Sequence, residues 1–122
     1  MSSTFKKAEK LSSKKLIQEL FSKGSSFYLY PFKVLVLPQS DKNQSPHQLL
    51  ITVPKRNHKT AVARNRIKRQ IREAYRLNKQ LLDVDKTLLI AYIYTAKEVS
   101  DYHKLEKALI SLLSKINQAY QS

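Results

Sequence analysis

Cysteine is missing from all 122 residues and acidic side chains are scarce, with nine Asp and Glu standing against 23 Lys and Arg. Without Cys the chain has neither a disulfide framework nor thiolate ligands for a zinc finger, which excludes the small secreted domains stapled by disulfides. Glycine occurs once, at Gly24. No apolar run reaches the ~20 residues that a membrane span needs. The charge imbalance, +14 at neutral pH, makes self-repulsion substantial until an anionic partner is bound, and nucleic acid is the leading candidate. At 42% hydrophobic the chain can still bury the core of one domain, and its 122 residues leave no room for two of ordinary size. The opening MSSTFKKAEKL has no apolar h-region, so no secretory signal is expected and a soluble, cytoplasmic protein is. Residues 1–10 read as a flexible leader to a single domain over 1–122.

Turn chemistry and apolar spacing divide the rest. Ser12 and Ser13 can cap a helix through KKLIQELFSK, whose apolar face is Leu16, Ile17, Leu20 and Phe21, with Gly24 at the position of a C′ glycine. The stretch SSFYLYPFKVLVLP reads as one extended strand broken at Pro31 and ended by Pro38. After a polar turn over 39–47, QLLITV forms a second strand closed by Pro54, and the two suit an antiparallel hairpin. A helix is expected from Ala61 to Asn78. TLLIAYIYTA has the length and composition of a central strand buried on both faces. Leu105, Leu109, Leu112, Leu113 and Ile116 then recur at helical spacing, with Asp101 as N-cap. The predicted order is helix, strand, strand, helix, strand, helix.

The most informative segment is 61–76, AVARNRIKRQIREAYR. At ~100° per residue, Ile67, Ile71, Ala74 and Tyr75 share one face, so the helix must dock on a core and hold its basic side outward. Glu73 is the only acidic residue in 55–76, where nine residues are Lys or Arg. Like charges at i,i+4 cost a few tenths of a kcal/mol per pair, and a run this unbalanced is expected where a polyanion neutralises it. The competing reading is a solvated charged face. Asn65 suits either a nucleic-acid contact or a bond to the helix-entry backbone.

With Arg64, Asn65 and Arg66 followed by Ile67, Lys68, Arg69, Arg72, Glu73 and Tyr75, the segment resembles the RNR signature of the protein subunit of bacterial ribonuclease P. The likeness extends along nearly the whole chain, through the helix ending LFSKG, the aromatic strand after it, the VPKR stretch before the signature and the late apolar strand. It implies an α+β fold, a two-layer α/β sandwich with a left-handed βαβ crossover like the second domain of ribosomal protein S5. It also implies an RNA-binding subunit that assists a catalytic RNA in removing the 5′ leader of precursor tRNA, one protein per RNA, with Mg2+ held mainly by that RNA. No catalytic or metal-ligating residue of the protein is expected. Lys55, Arg56, Lys59, Arg64, Asn65, Arg66, Lys68, Arg69 and Arg72 would meet the RNA. Phe21 matches an aromatic of the family's leader cleft, and Ile17 stands where Phe is common, offering no ring face for a base. Phe32 and Lys14 are read as further leader-cleft contacts. The loop KRNHKT departs from the Gly-Asn loop of many members, being one residue longer and lacking the glycine.

Other chemistry is thinly supported. Of the strand aromatics Phe27, Tyr28, Tyr30 and Phe32, alternation sends only about half toward a cleft. His47, His58 and His103 lack metal-site spacing and are read as surface residues, with His58 a further RNA contact. Asp83 and Asp85 suit a turn better than a Mg2+ site. A structural RNA-binding protein of ribosomal type fits the same charge pattern. A DNA-binding recognition helix is disfavoured, because strand and proline, and not a second helix, precede the basic segment.

Overall fold

A computed structural model describes residues 9–39 and 46–121. The first eight residues of the expected leader, and most of the polar turn, lie outside that range. Its last two residues belong to the fold: Lys10 bridges Leu49, the Leu11 N–H donates to the Leu49 carbonyl at 3.0 Å, and buried Glu9 pairs with Lys79 at 2.8 Å.

Helix α1 spans Lys14–Lys23, with the Ser13 hydroxyl accepting from the Leu16 N–H as N-cap. Gly24 does end it, but with φ −67° and ψ 148°, not in the left-handed conformation of a C′ glycine. Glycine is required there for space, since a Cβ would stand 2.4 Å from the Leu20 carbonyl oxygen.

The aromatic stretch is two strands, not one. β1 (Ser25–Leu29) and β2 (Phe32–Pro38) form the antiparallel hairpin themselves, turning at Tyr30 and Pro31. β3 (Gln48–Thr52) does not pair with β2 as expected. The sheet order is β1-β2-β4-β3, with β4 (Leu88–Tyr94) antiparallel to β2 and parallel to β3. The reason is burial: LLIAYIY is apolar on both faces and takes the interior place that would otherwise bring β2 and β3 together. The parallel pair β3 and β4 is joined through α2 (Ala61–Asn78), the βαβ unit in which the family resemblance implies the left-handed crossover. A 3-10 turn at Lys79–Leu81 follows α2, and α3 (Tyr102–Tyr120) closes the chain.

Helices α2 and α3 cover one sheet face. Phe32, Val34 and Val36 of β2 and Leu88, Ile90, Tyr92 and Tyr94 of β4 pack there against Ile67, Ile71, Leu105, Leu109 and Leu112. The opposite face carries Leu35, Leu89 and Ala91, and among the described residues Leu11 and α1, with Leu16, Ile17 and Leu20, pack over it. The sandwich of sheet and helix pair thus has a partial third layer, and the described residues leave part of the second face uncovered.

Two of the three histidines are not surface residues as expected: His58 is buried and His47 half-buried. His47 Nδ1 accepts the Leu88 N–H at 3.0 Å, and burial pushes its pKa below the ordinary 6.5. The folded state therefore favours the neutral ring. Stability from this group is full above pH ~6.5 and declines as pH falls below it toward the lowered folded value. Thermal unfolding followed between pH 7.5 and 5 should show that decline, and His47→Asn should flatten it.

Candidate nucleic-acid interface

The basic helix lies where its periodicity places it. Ile67, Ile71, Ala74 and Tyr75 are buried in the main core, while Asn65, Arg66, Arg69 and Arg72 are exposed. Thr60 is the N-cap, its hydroxyl accepting the Ala63 N–H at 3.2 Å. Thr60 makes the helix-entry bond, and Asn65 is exposed. Tyr75 is buried and close to Glu9, and its hydroxyl pKa is pushed far above the ordinary 10.0, first by burial and second by that carboxylate. It is a neutral core group.

Charge neutralisation is confined to one end. Arg76 forms an ion pair with Glu73, and Lys79 one with Glu9, both toward the C-terminus of α2. Among the described residues, Lys55, Arg56, Lys59, Arg66, Lys68, Arg69 and Arg72 have no intramolecular ion pair. Arg64 differs from these. It is half-buried, and its Nη1 donates to the carbonyls of His58 at 2.9 Å and Lys59 at 3.0 Å, tying the preceding loop to the first turn of α2.

A groove of about 370 Å³ runs between α2 and β3. Its apolar floor is Leu11, Leu49, Leu50 and Ile51, and its polar rim is Lys10, Asn65, Lys68 and Arg72. Sequence reasoning missed Lys10, because it is tertiary pairing with Leu49 that brings the N-terminal segment to this edge.

On the second sheet face, α1 presents Lys14 and Phe21 outward, with Phe21 48% exposed. Ile17 is partly buried against the Leu35 and Ala91 cluster, so it supports the surface and adds little area to it. Phe32 is not in this cleft. It is fully buried on the α2 and α3 face, edge-on to Tyr92 and Tyr94. Register explains the error: Tyr28 opposes Lys33, which opposes Ile93, and this row faces α1 while adjacent Phe32 points the other way. Tyr28, 63% exposed, is the strand aromatic on the α1 side. The exposed Lys33 was the available signal, since the residue next to a solvent-facing strand position must face inward. Phe27 packs toward α3 against Tyr120, and Tyr30 bonds Glu98.

His58, expected on the surface, is 6% exposed. Its Nε2–H donates to the Ala96 carbonyl at 2.8 Å. His103, Asp83 and Asp85 are exposed. Among the described residues no group of three or more His, Cys, Asp or Glu could hold a metal ion, and no helix is long and apolar enough to cross a membrane.

Fold and surface together define a cationic α+β domain with a rigid, largely unneutralised array of Lys and Arg. The chain belongs to the ribonuclease P protein family, whose model, described as Ribonuclease P, matches residues 5–117. It is 36% identical over 115 residues to the ribonuclease P protein component of Porphyromonas gingivalis, covering 90% of this chain and 84% of that one. Against the corresponding protein of Clostridium botulinum it is 35% identical over 112 residues, covering 89% and 95%. The RNase P protein from Thermotoga maritima superposes with a TM-score of 0.73 at 27% identity, covering 88% of this chain and 96% of the other. A Staphylococcus aureus RNase P protein gives 0.70 at 26% identity, covering 94% and 100%.

Proposed function

We propose that the protein binds the catalytic RNA of ribonuclease P and the 5′ leader of precursor tRNA, and that the RNA performs the cleavage. The observation that carries this reading is the set of unneutralised cations on α2 and the loop before it, fixed on a helix whose other face is core. A phosphate backbone meeting such an array releases condensed counterions, so affinity falls steeply with salt. Arg66, Arg69 and Arg72 present planar guanidinium forks to phosphate oxygens, and Lys55, Arg56 and Lys59 extend the array along the loop. Arg64 acts inward as the loop's anchor.

The leader is assigned to the uncovered part of the second sheet face, where Phe21 and Tyr28 offer rings and Lys14 and Lys33 offer charge. From there it reaches the groove rimmed by Asn65 and Lys68. Aromatic stacking tolerates any base and supplies ~1 to 3 kcal/mol per base. Mg2+ belongs to the RNA in this reading. The protein's part is to hold the leader and screen phosphate repulsion.

The test is reconstitution with the cognate RNA at low Mg2+. Phe21→Ala and Tyr28→Ala should each weaken binding of precursor tRNA by roughly 5- to 100-fold while leaving mature tRNA unchanged, the equivalent of one lost stack. Equal losses for both tRNAs would remove the leader from this face. Co-purification with ribosomal subunits, and not with a tRNA-processing activity, would favour the ribosomal-type alternative.

A further inference from the structure

We propose that His58 is a positioning residue for RNA binding: it pins the loop 54–60 to the end of β4, so that Lys55, Arg56 and Lys59 are held as one ordered array. The inference rests on the reading that this loop meets RNA, and it adds a buried residue that itself never touches RNA.

The loop lacks glycine and carries three exposed cations that repel one another, yet it is tied down from three sides. At its start the Pro54 carbonyl accepts from the Asn57 N–H at 3.2 Å and from the His58 N–H at 3.3 Å. Toward the sheet, Asn57 Nδ2 donates to the Thr95 carbonyl at 3.4 Å and His58 Nε2–H to the Ala96 carbonyl at 2.8 Å. Toward α2, Arg64 Nη1 bridges the carbonyls of His58 and Lys59. His58 lies at the centre of this arrangement. Its backbone N–H and carbonyl and its ring serve all three ties, and the ring also stacks at a tilt on buried Tyr94, with centroids 5.6 Å apart. Ala96, just past β4, is itself buried. The loop cations are therefore registered to the rigid sheet, and not only to the helix that follows.

The benefit is preorganisation. A loop that must be ordered on binding loses affinity to conformational entropy, whereas one already ordered does not. Arg64 cannot serve alone, because its two acceptors are loop carbonyls and so bind the loop to α2 but not to β4. The ring of His58 supplies the shorter and buried part of that second support, beside the longer Asn57 bond to Thr95, from a donor short enough to reach Ala96 and flat enough to pack on Tyr94.

The experiment uses the whole chain with the catalytic RNA, measuring affinity over a salt series. His58→Val keeps an apolar contact on Tyr94, and with it the fold, while removing the donor; His58→Gln restores an N–H donor. Both are made in the wild type and in a Lys55→Ala/Arg56→Ala/Lys59→Ala background. We expect His58→Val to weaken RNA binding about 10-fold and to flatten the log–log salt dependence by ~1 to 2, with His58→Gln recovering most of both. In the triple-alanine background His58→Val should change affinity less than 2-fold. Amide hydrogen exchange should accelerate at 55–60 in His58→Val and stay slow in β4 and α2. Equal weakening in both backgrounds, or none in the wild type, overturns the proposal while leaving the RNA reading of the loop intact. If the triple-alanine protein binds RNA as the wild type does, the loop's place in the RNA interface fails and the positioning role falls with it.

Discussion

Replacing Arg66, Arg69 and Arg72 together by alanine is expected to weaken binding to the catalytic RNA by roughly 100-fold at moderate salt. Hydrogen bonds to charged groups contribute ~1.5 to 3 kcal/mol in favourable settings. These side chains are exposed, so about 1 kcal/mol each is the appropriate scale, and each 1.4 kcal/mol is tenfold in affinity. The log–log salt slope should fall in magnitude by ~2 to 3, near 0.7 to 0.9 per released counterion. Stability should move the other way. The three arginines have no intramolecular ion pair among the described residues, and Arg72 lies four residues from Lys68 on a helix already crowded with positive charge. Removing like-charge repulsion is expected to leave the melting temperature unchanged or slightly higher. A protein that folds as well and binds RNA as tightly as before would exclude the outer face of α2 as the interface.

Phe32→Ala should have the largest effect on folding among the aromatic residues of the hairpin. The ring is fully buried, with centroids 5.1 Å from Tyr92 and 5.9 Å from Tyr94, both edge-on. Truncation removes apolar burial and leaves a cavity in a close-packed layer, at a cost of ~3 to 5 kcal/mol. For a domain of this size that lowers the melting temperature by about 10 to 20 °C. Phe21→Ala, at a side chain almost half exposed, should shift it by no more than a few degrees. Denaturant unfolding of the pair distinguishes a core ring from a binding ring. Comparable stability of the two variants would mean that Phe32 is not the core residue its packing makes it.

The difference between these two phenylalanines shows where sequence was legible. Helix α2 could be read with both ends correct, because its signal is local: the apolar residues recur at 3.6-residue spacing, and every charge between them must then face away. The capping of α1 by Ser13 and the double-sided burial of β4 were legible for the same reason. The pairing of strands was not. Pro31 marked an interruption equally compatible with a kink or a reversal, and a reversal changes which residues share a face for everything downstream. The assignment of Phe32 to the cleft followed from that ambiguity, as did the expected pairing of β2 with β3. Arg64 and His58 show a second kind of limit. Their residue types suit RNA as well as they suit backbone carbonyls; for Arg64 the choice is made by the His58 and Lys59 carbonyls of the folded loop, and for His58 by Ala96, 38 residues beyond it in the chain.

What the sequence determined by itself was the net charge, the absence of a thiol framework, the helix that exposes the RNR segment and, through the order of its motifs, the family. These depend on composition and on neighbours within a turn or two, where covalent geometry sets the spacing. Only the tertiary structure decided which strands pair, which aromatic rings are core, and that His58 is bonded inside and not on the surface. Those outcomes depend on contacts between distant segments, where the burial of β4 between β2 and β3 outweighs local preference.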